Sequence, residues 1–98
     1  MSEAFVTVVD TTVSADQEQL QVDGFRALNE GPRPAGLLRS ELLRGQDGAW
    51  RIQSVWRDLE AVLALRRAGE PPAVLALLER IGAQHTHGTF TVEQVHAS

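Results

Sequence analysis

The chain has 98 residues, of which 43% are hydrophobic, and this length is typical of one domain with its own packed core. Its nine basic side chains are all arginine and are outnumbered by 13 acidic ones, so the formal net charge is −4. Because affinity for nucleic acid comes mostly from clustered cations, this balance argues against a nucleic-acid partner. The absence of cysteine excludes disulfides, thiolate catalysis and cysteine-ligated metal centres.

The sequence also gives an expectation about where the protein works. The N-terminal segment contains neither a basic leader nor an apolar run of signal length. Nowhere is there an apolar run long enough to cross a membrane. We therefore expect a soluble, cytoplasmic protein with no membrane partner.

The first third of the chain predicts a strand followed by a helix. The β-branched, apolar run over 5–13 is typical of a strand. Ser14 and Gln17 have the spacing of a capping box, so a helix is expected over 15–29. The Gly-Pro-Arg-Pro segment at 31–34 ends this helix, because proline lacks an amide donor and restricts the residue before it.

A β-hairpin is predicted in the middle of the chain. Two short apolar-rich segments, 36–44 and 49–56, flank a Gly-Gln-Asp-Gly turn, and Asp-Gly is a strong hairpin signal. Alternation along the second strand places four side chains on one face: Trp50, Ile52, Ser54 and Trp56. Both faces of this strand carry apolar residues, so both faces of the sheet are expected to be covered.

A second helix is predicted after the hairpin. Asp58 can cap its start, and the apolar spacing continues to Gly69. Arg66 and Arg67 stand near its C-terminal end, where cations offset the helix dipole, so we expect them to contact the helix end rather than a ligand.

The last part of the chain predicts a third helix and a final strand. The Pro71-Pro72 pair interrupts the second helix, and helical spacing then resumes and ends near Ile81. The alternating segment Thr89 to His96 is typical of a strand.

The predicted order is therefore β-α-β-β-α-β with a broken second helix, in a single domain over 1–98. This order is typical of an α+β ferredoxin-like sandwich, in which helices cover one face of a four-stranded antiparallel sheet. The second face then carries exposed apolar residues, which monomers rarely display over such an area. We expect a homodimer in which the two sheets face each other.

The segment from Gly36 to Ala61 resembles the antibiotic biosynthesis monooxygenase family. The resemblance rests on Pro-Ala-Gly-Leu-Leu-Arg-Ser-Glu-Leu-Leu-Arg from Pro34 and on Gln-Asp-Gly-Ala-Trp-Arg-Ile-Gln-Ser-Val-Trp-Arg-Asp-Leu-Glu-Ala from Gln46. The shared pattern is a glycine entering a strand, a hairpin, a tryptophan closing the next strand, and acidic residues opening a helix.

This resemblance implies a dimeric α/β barrel with an apolar pocket between the sheet and the helices of each protomer. The implied function is cofactor-independent oxygenation of a small polycyclic aromatic or phenolic substrate. The alternative is a non-catalytic dimeric α/β-barrel protein that binds a small apolar ligand or fills the pocket with its own side chains.

The resemblance also implies which residues bind the substrate. Trp56 matches the tryptophan that ends a strand and lines the pocket in this family, and we expect Trp50, Ile52 and Val62 to line it too; the alternative for the tryptophan pair is core packing. Anthrone-oxidising members commonly have an asparagine at the position of Ile52 and an aromatic residue at that of Val62. Haem-degrading members have an asparagine on the first strand and a histidine on the helix after the tryptophan, and this sequence has neither.

The remaining candidates are polar. His85 and His87 are candidate general bases, because an imidazole titrates near neutral pH; the alternatives are surface histidines or an incomplete metal site. Arg39 and Arg51 are candidate donors for a substrate oxyanion, or else they form ion pairs with nearby glutamates. Asp10 lies within a strand, and we expect it to pair with one of these arginines, because an unpaired buried carboxylate is costly. The alternatives are a solvent-facing carboxylate at the dimer edge and a base with a shifted pKa.

No cofactor is expected. The sequence has no cysteine, no histidine on a predicted helix and no dinucleotide-binding fingerprint, and these are the usual anchors of metals, haem and flavins. The expected partners are therefore a small aromatic molecule and a second copy of the chain.

Overall fold

The computed structural model describes residues 4–67 and 73–96. Its elements are β1 (Phe5–Thr12), α1 (Ala15–Glu30), β2 (Leu37–Arg44), β3 (Ala49–Trp56), α2 (Leu59–Arg67), α3 (Ala73–Ile81) and β4 (Gln84–Thr91). The strands form one antiparallel sheet in the order β2-β3-β1-β4. The predicted α+β ferredoxin-like fold is confirmed. None of the helices in the described ranges is long and apolar enough to cross a membrane.

The predicted position of the last strand is wrong. The sequence pattern placed it at 89–96, whereas β4 ends at Thr91. Its length matches that of β1, because β4 pairs with β1 from Thr12↔Gln84 to Phe5↔Thr91. His85 and His87 therefore lie within the strand. The predicted end of the second helix at 69 and the proline pair at 71–72 lie outside the described residues.

The start of α1 is held by the predicted capping residue. Gln17 Oε1 accepts a hydrogen bond from the Ser14 backbone N–H at 2.8 Å. The Nε2 of the same side chain donates to the Ile81 carbonyl at 3.1 Å, so Gln17 also joins the start of α1 to the end of α3. Farther along, a Cβ at Gly24 would overlap the Leu77 side chain, so this glycine lets α1 and α3 approach closely.

The predicted hairpin between β2 and β3 is confirmed. Asp47 has φ 55° and Gly48 has φ 79°, and the Ala49 N–H donates to the Gln46 carbonyl at 3.0 Å. Two consecutive positive φ values define a type I′ turn, whose twist matches that of the strands it joins.

In residues 4–67 and 73–96, the helices cover one face of the sheet, which we call the helix face, and leave the other, the open face, without a helix layer. In-register pairing gives the helix face Trp50, Ile52, Ser54 and Trp56 from β3, together with the odd-numbered residues of β1 and β4. The helix face carries three buried clusters, which are Val13, Trp50, Leu78 and Ala83; Phe25, Ile52 and Leu77; and Trp56, Ala61 and Val62.

We expect Gly36→Ala to destabilise the fold by about 2–4 kcal/mol, because it combines left-handed backbone with steric overlap. Gly36 has φ 84°, and a Cβ there would overlap the Cβ of Ala61 at the start of α2. The matched control is Gly31→Ala, where φ is −85° and the added Cβ makes only ordinary contacts. Chemical denaturation of both variants measures the difference, and equal stabilities would contradict the expectation.

Candidate functional site

A cavity of about 380 Å³ lies between the helix face of the sheet and helices α1, α2 and α3; we call it the sheet–helix cavity. Its volume falls within the usual range for small-molecule sites. Most of its wall is apolar, with side chains from all three helices and from β1, β2 and β3: Val9, Phe25, Leu28, Leu37, Ile52, Trp56, Val62, Leu65 and Val74.

The cavity exists because two of the buried clusters do not meet. Phe25, Ile52 and Leu77 pack together toward α3, while Trp56 packs with Val62 and Ala61 toward α2. Leu77 is 2% exposed and does not line the cavity. The space beside Trp56 is therefore bounded by core residues rather than filled by them.

Trp56 is held in place by a hydrogen bond as well as by packing. Its indole N–H donates to the Thr7 hydroxyl oxygen across the β1–β3 pair at 2.9 Å, and the side chain is 6% exposed. A buried indole N–H needs such a partner. This bond fixes the plane of the ring that lines the cavity.

The floor of the cavity contains four hydroxyl groups, which we call the hydroxyl row. One comes from each strand, in register across the sheet: Ser40, Ser54, Thr7 and Thr89. The hydroxyl oxygens of Ser40 and Ser54 are 2.6 Å apart, so one donates to the other. The sequence pattern does not single out this row, although the alternation of β3 already puts Ser54 on the same face as Trp56.

The two candidate bases lie on the same face of β4 but line different cavities. His87 is opposite Val9 and lines the sheet–helix cavity. His85 is opposite Thr11 and lines a more open cavity of about 650 Å³ at the end of the sheet, which we call the end cavity. The structure therefore brings His87, and not His85, together with Trp56.

His85 belongs to a small buried polar group beside the end cavity. The Thr11 hydroxyl donates to Gln21 Oε1 at 2.8 Å, and Gln21 is fully buried. Within the described residues, Gln21 Nε2 and His85 Nδ1 are buried and have no hydrogen-bond partner. No group of three His, Asp or Glu side chains suited to a metal ion occurs in residues 4–67 and 73–96.

Trp50 lies apart from the other residues expected to bind substrate. Ile52, Trp56 and Val62 line the sheet–helix cavity, whereas Trp50 lines the end cavity and is 6% exposed. The guanidinium of Arg44 stacks over its ring, 4.6 Å from the centroid. Trp50 packs in a buried cluster separate from that of Trp56.

The two candidate oxyanion donors are on the open face, separated from the cavity by the sheet. Arg51 Nε is 2.7 Å from Asp10 Oδ1, which confirms the expected ion pair, and this hydrogen bond raises the pKa of Arg51 above its usual value. Arg39 pairs with Glu41 at 3.5 Å. Both side chains are on the face of the sheet opposite the hydroxyl row, so neither reaches a ligand in the sheet–helix cavity.

Arg66 is a cation that does line the cavity. The sequence led us to expect it to contact the end of its helix rather than a ligand. Val62, Leu65 and Arg66 follow the spacing of one helix face, and all three line the cavity. Among the described residues, its ionisable lining consists of Arg66 and His87, with no carboxylate. We therefore expect this lining to favour a ligand with a negative group, despite the net negative charge of the chain.

We expect Arg66→Gln to weaken binding of the anionic dye 1-anilinonaphthalene-8-sulfonate about three- to fivefold, because an exposed charge pair contributes roughly up to 1 kcal/mol. Binding of the uncharged analogue N-phenyl-1-naphthylamine should not change. The matched control is Arg67→Gln, since Arg67 bonds Glu60 and does not line the cavity. Fluorescence titrations measure all four affinities, and an equal effect on both dyes would contradict the expectation.

No protein-family model and no curated protein matches the sequence, but solved structures do. One of them is a mutant of SnoaB, a cofactor-independent oxygenase from Streptomyces nogalater, which is 26% identical to this chain. The match covers 96% of this chain and 97% of that chain, with a TM-score of 0.70. A candidate antibiotic biosynthesis monooxygenase from Nitrosomonas europaea is 13% identical over 98% of this chain and 94% of that chain, with a TM-score of 0.69. A heme-degrading protein from Mycobacterium tuberculosis is 19% identical over 100% of both chains, with a TM-score of 0.68.

The chain thus has the fold of the antibiotic biosynthesis monooxygenases, and the resemblance found in the sequence is confirmed at that level. The structures that share this fold include an oxygenase that needs no cofactor and a protein that degrades heme. Fold alone does not assign a reaction, so the function must be argued from the site.

Proposed function

We propose that this chain is a cofactor-independent monooxygenase that oxidises a small planar phenol or polycyclic aromatic molecule in the sheet–helix cavity. The observation that carries the proposal is the cavity beside Trp56, which has apolar walls, an imidazole and a row of hydroxyl groups. Similarity over nearly the whole chain to SnoaB, an oxygenase of this type, supports it.

The proposed reaction needs a base and a dry pocket, because the substrate itself supplies the electrons. His87 takes a proton from the substrate, leaving a carbanion that is delocalised as a phenolate. This anion gives one electron to dioxygen, and the resulting substrate radical and superoxide combine to form a carbon–oxygen bond. The peroxide anion takes up a proton and loses water, so a CH₂ group and O₂ become a C=O group and H₂O.

The apolar wall contributes binding and exclusion of water. Stacking on an aromatic ring such as Trp56 contributes about 0.5–1.5 kcal/mol beyond the area it buries. Ile52 and Val62 are aliphatic, so this part of the wall offers no hydrogen-bond partner to water. A dry site also strengthens each hydrogen bond made to the substrate anion.

We expect His87→Asn to lower kcat for oxidation of anthrone by about 10²–10⁴-fold, which is the usual contribution of a general base. His85→Asn should change kcat less than about twofold, because His85 lines the end cavity instead. Oxygen uptake measured with an electrode gives both values. If His85→Asn and not His87→Asn removes oxygen uptake, the assignment of the base is wrong.

A second candidate function is binding of a small apolar ligand without chemistry. It is favoured by Ile52 and Val62, two aliphatic residues in the cavity wall at positions where anthrone-oxidising relatives commonly have an amide and an aromatic side chain. Under this alternative, planar aromatic molecules quench Trp56 fluorescence on binding, but anthrone causes no oxygen uptake above the uncatalysed rate. Measuring both on one sample separates the two functions.

We further propose that the protein forms a homodimer through the open face, giving a dimeric α/β barrel. This face carries Val6, Val55 and the side chain of Phe90, which is 58% exposed. Phe90 lies over Gly88 of the same strand, where a Cβ would be 3.3 Å from its ring. An apolar surface on a sheet face is rare on a monomer and typical of an interface between identical subunits.

We expect sedimentation to give twice the chain mass of 10.7 kDa at micromolar protein concentration. Phe90→Glu should shift the protein to the monomer mass, because it places a charge within the apolar face. The matched control is Val95→Glu, a residue that is 78% exposed and lies beyond β4, which should leave the dimer intact. A wild-type particle of the chain mass would contradict the proposal.

A further inference from the structure

The proposed reaction passes through a substrate anion, and the sheet–helix cavity needs a hydrogen-bond donor for its oxygen. The two arginines that the sequence suggested for this purpose, Arg39 and Arg51, are on the open face and are paired with Glu41 and Asp10. Arg66 lines the cavity from the last turn of α2, where its side chain is exposed, while the floor of the cavity is formed by the sheet. Asn29, near the end of α1, also lines the cavity and is exposed. On the sheet itself, the side-chain donors in the lining are the hydroxyl row, Trp56 and His87, and the proposed reaction uses His87 as its base.

Thr7 lies in the middle of the hydroxyl row, on the central strand β1. Its Oγ1 accepts the hydrogen bond from the Trp56 indole at 2.9 Å. A hydroxyl group has one hydrogen to donate besides its acceptor sites. Among the hydrogen bonds of residues 4–67 and 73–96, Thr7 Oγ1 takes part only as an acceptor, so its own hydrogen is left for a group in the cavity.

The bond from Trp56 also orients this hydrogen. An indole N–H is a donor only, so it occupies a lone pair of Thr7 Oγ1 and cannot compete for the hydroxyl hydrogen. A threonine side chain has few χ1 rotamers, and the bond to Trp56 favours the rotamer that meets it. Trp56 therefore acts in two ways, as a wall of the cavity and as the residue that positions Thr7.

We infer that the Thr7 hydroxyl is the hydrogen-bond donor to the anionic oxygen of the bound substrate, and that the Trp56 indole N–H positions it for that role. This inference rests on the proposed function and deepens it at the same site. Ser40 and Ser54, in register with Thr7, supply a second donor between them: the 2.6 Å bond between their hydroxyl oxygens uses one of the two hydroxyl hydrogens and leaves the other.

The test uses alizarin, a planar dihydroxyanthraquinone whose absorption band shifts when its phenol ionises. It already carries ketones where anthrone carries its oxidisable carbon, so binding is measured without turnover. A donor to the phenolate favours the charged form and lowers the pKa of the bound dye. We expect Thr7→Val to raise the pKa of bound alizarin by about one unit or more, and Thr7→Ser to restore the wild-type value.

Two further variants test the positioning role and the specificity of the effect. Trp56→Phe keeps an aromatic wall but removes the N–H, so we expect it to raise the pKa of bound alizarin in the wild-type background and to add nothing in the Thr7→Val background. The matched control is Thr12→Val, which removes another β1 hydroxyl that lines only the end cavity, and it should leave the pKa of the bound dye unchanged.

The inference is overturned if Thr7→Val leaves the pKa of bound alizarin unchanged, if wild-type protein does not bind the dye, or if Trp56→Phe acts equally in both backgrounds. Failure of the proposed function has a different signature. It would appear as absence of oxygen uptake with anthrone, while the effect of Thr7→Val on bound alizarin persists and supports the role of Thr7 as a donor to phenolates.

Discussion

The pairing of β1 with both of its neighbours is the constraint on which the rest of the structure depends. β1 pairs in register with β3 over Phe5–Thr12 and with β4 over the same residues, with no bulge in either ladder. Because side chains alternate strictly along a strand, this pairing groups them in rows across the sheet. One row on the helix face holds the hydroxyl groups of Ser54, Thr7 and Thr89, and the next holds Ile52, Val9 and His87. A slip of β1 by one residue would move Thr7 and Val9 to the open face.

The same alternation explains which expectations from the sequence succeeded. The parity of β3 placed Trp56, Ile52 and Ser54 on one face, and the hairpin signal fixed the start of that strand, so the floor of the cavity could be predicted in outline. Parity also placed Arg51 on the face opposite Trp56. Arg51 was expected to be a donor because of its charge, although this alternation already placed it on the other face of the sheet from Trp56. Charge type alone is a weaker guide than strand parity wherever the strand boundaries are secure.

Other parts of the site depend on pairing between distant segments, which a single sequence does not contain. The segment 89–96 alternates as a strand does, and so does β4. Which of the two forms the strand depends on which one pairs with β1. For this reason the sequence did not separate His85 from His87. Thr7 was missed because a threonine on a strand is ordinary, and its importance comes from Trp56, 49 positions away along the chain. Arg66 could have been found, since it shares a helix face with Val62.

The cost of burying a charge explains which polar groups line the cavity. A charged donor on the floor would lose its hydration, and this cost is repaid only by a partner that is always present. Neutral hydroxyls carry a smaller cost, since Thr7 accepts a hydrogen bond from Trp56, and Ser40 and Ser54 bond each other, in the absence of any ligand. Each of these bonds still leaves a hydroxyl hydrogen for a substrate oxygen. Arg66 lies in the last turn of α2 with its side chain exposed, so it remains hydrated. The division between a neutral floor and a cationic helix end therefore lets the same fold be stable without ligand and still receive an anion.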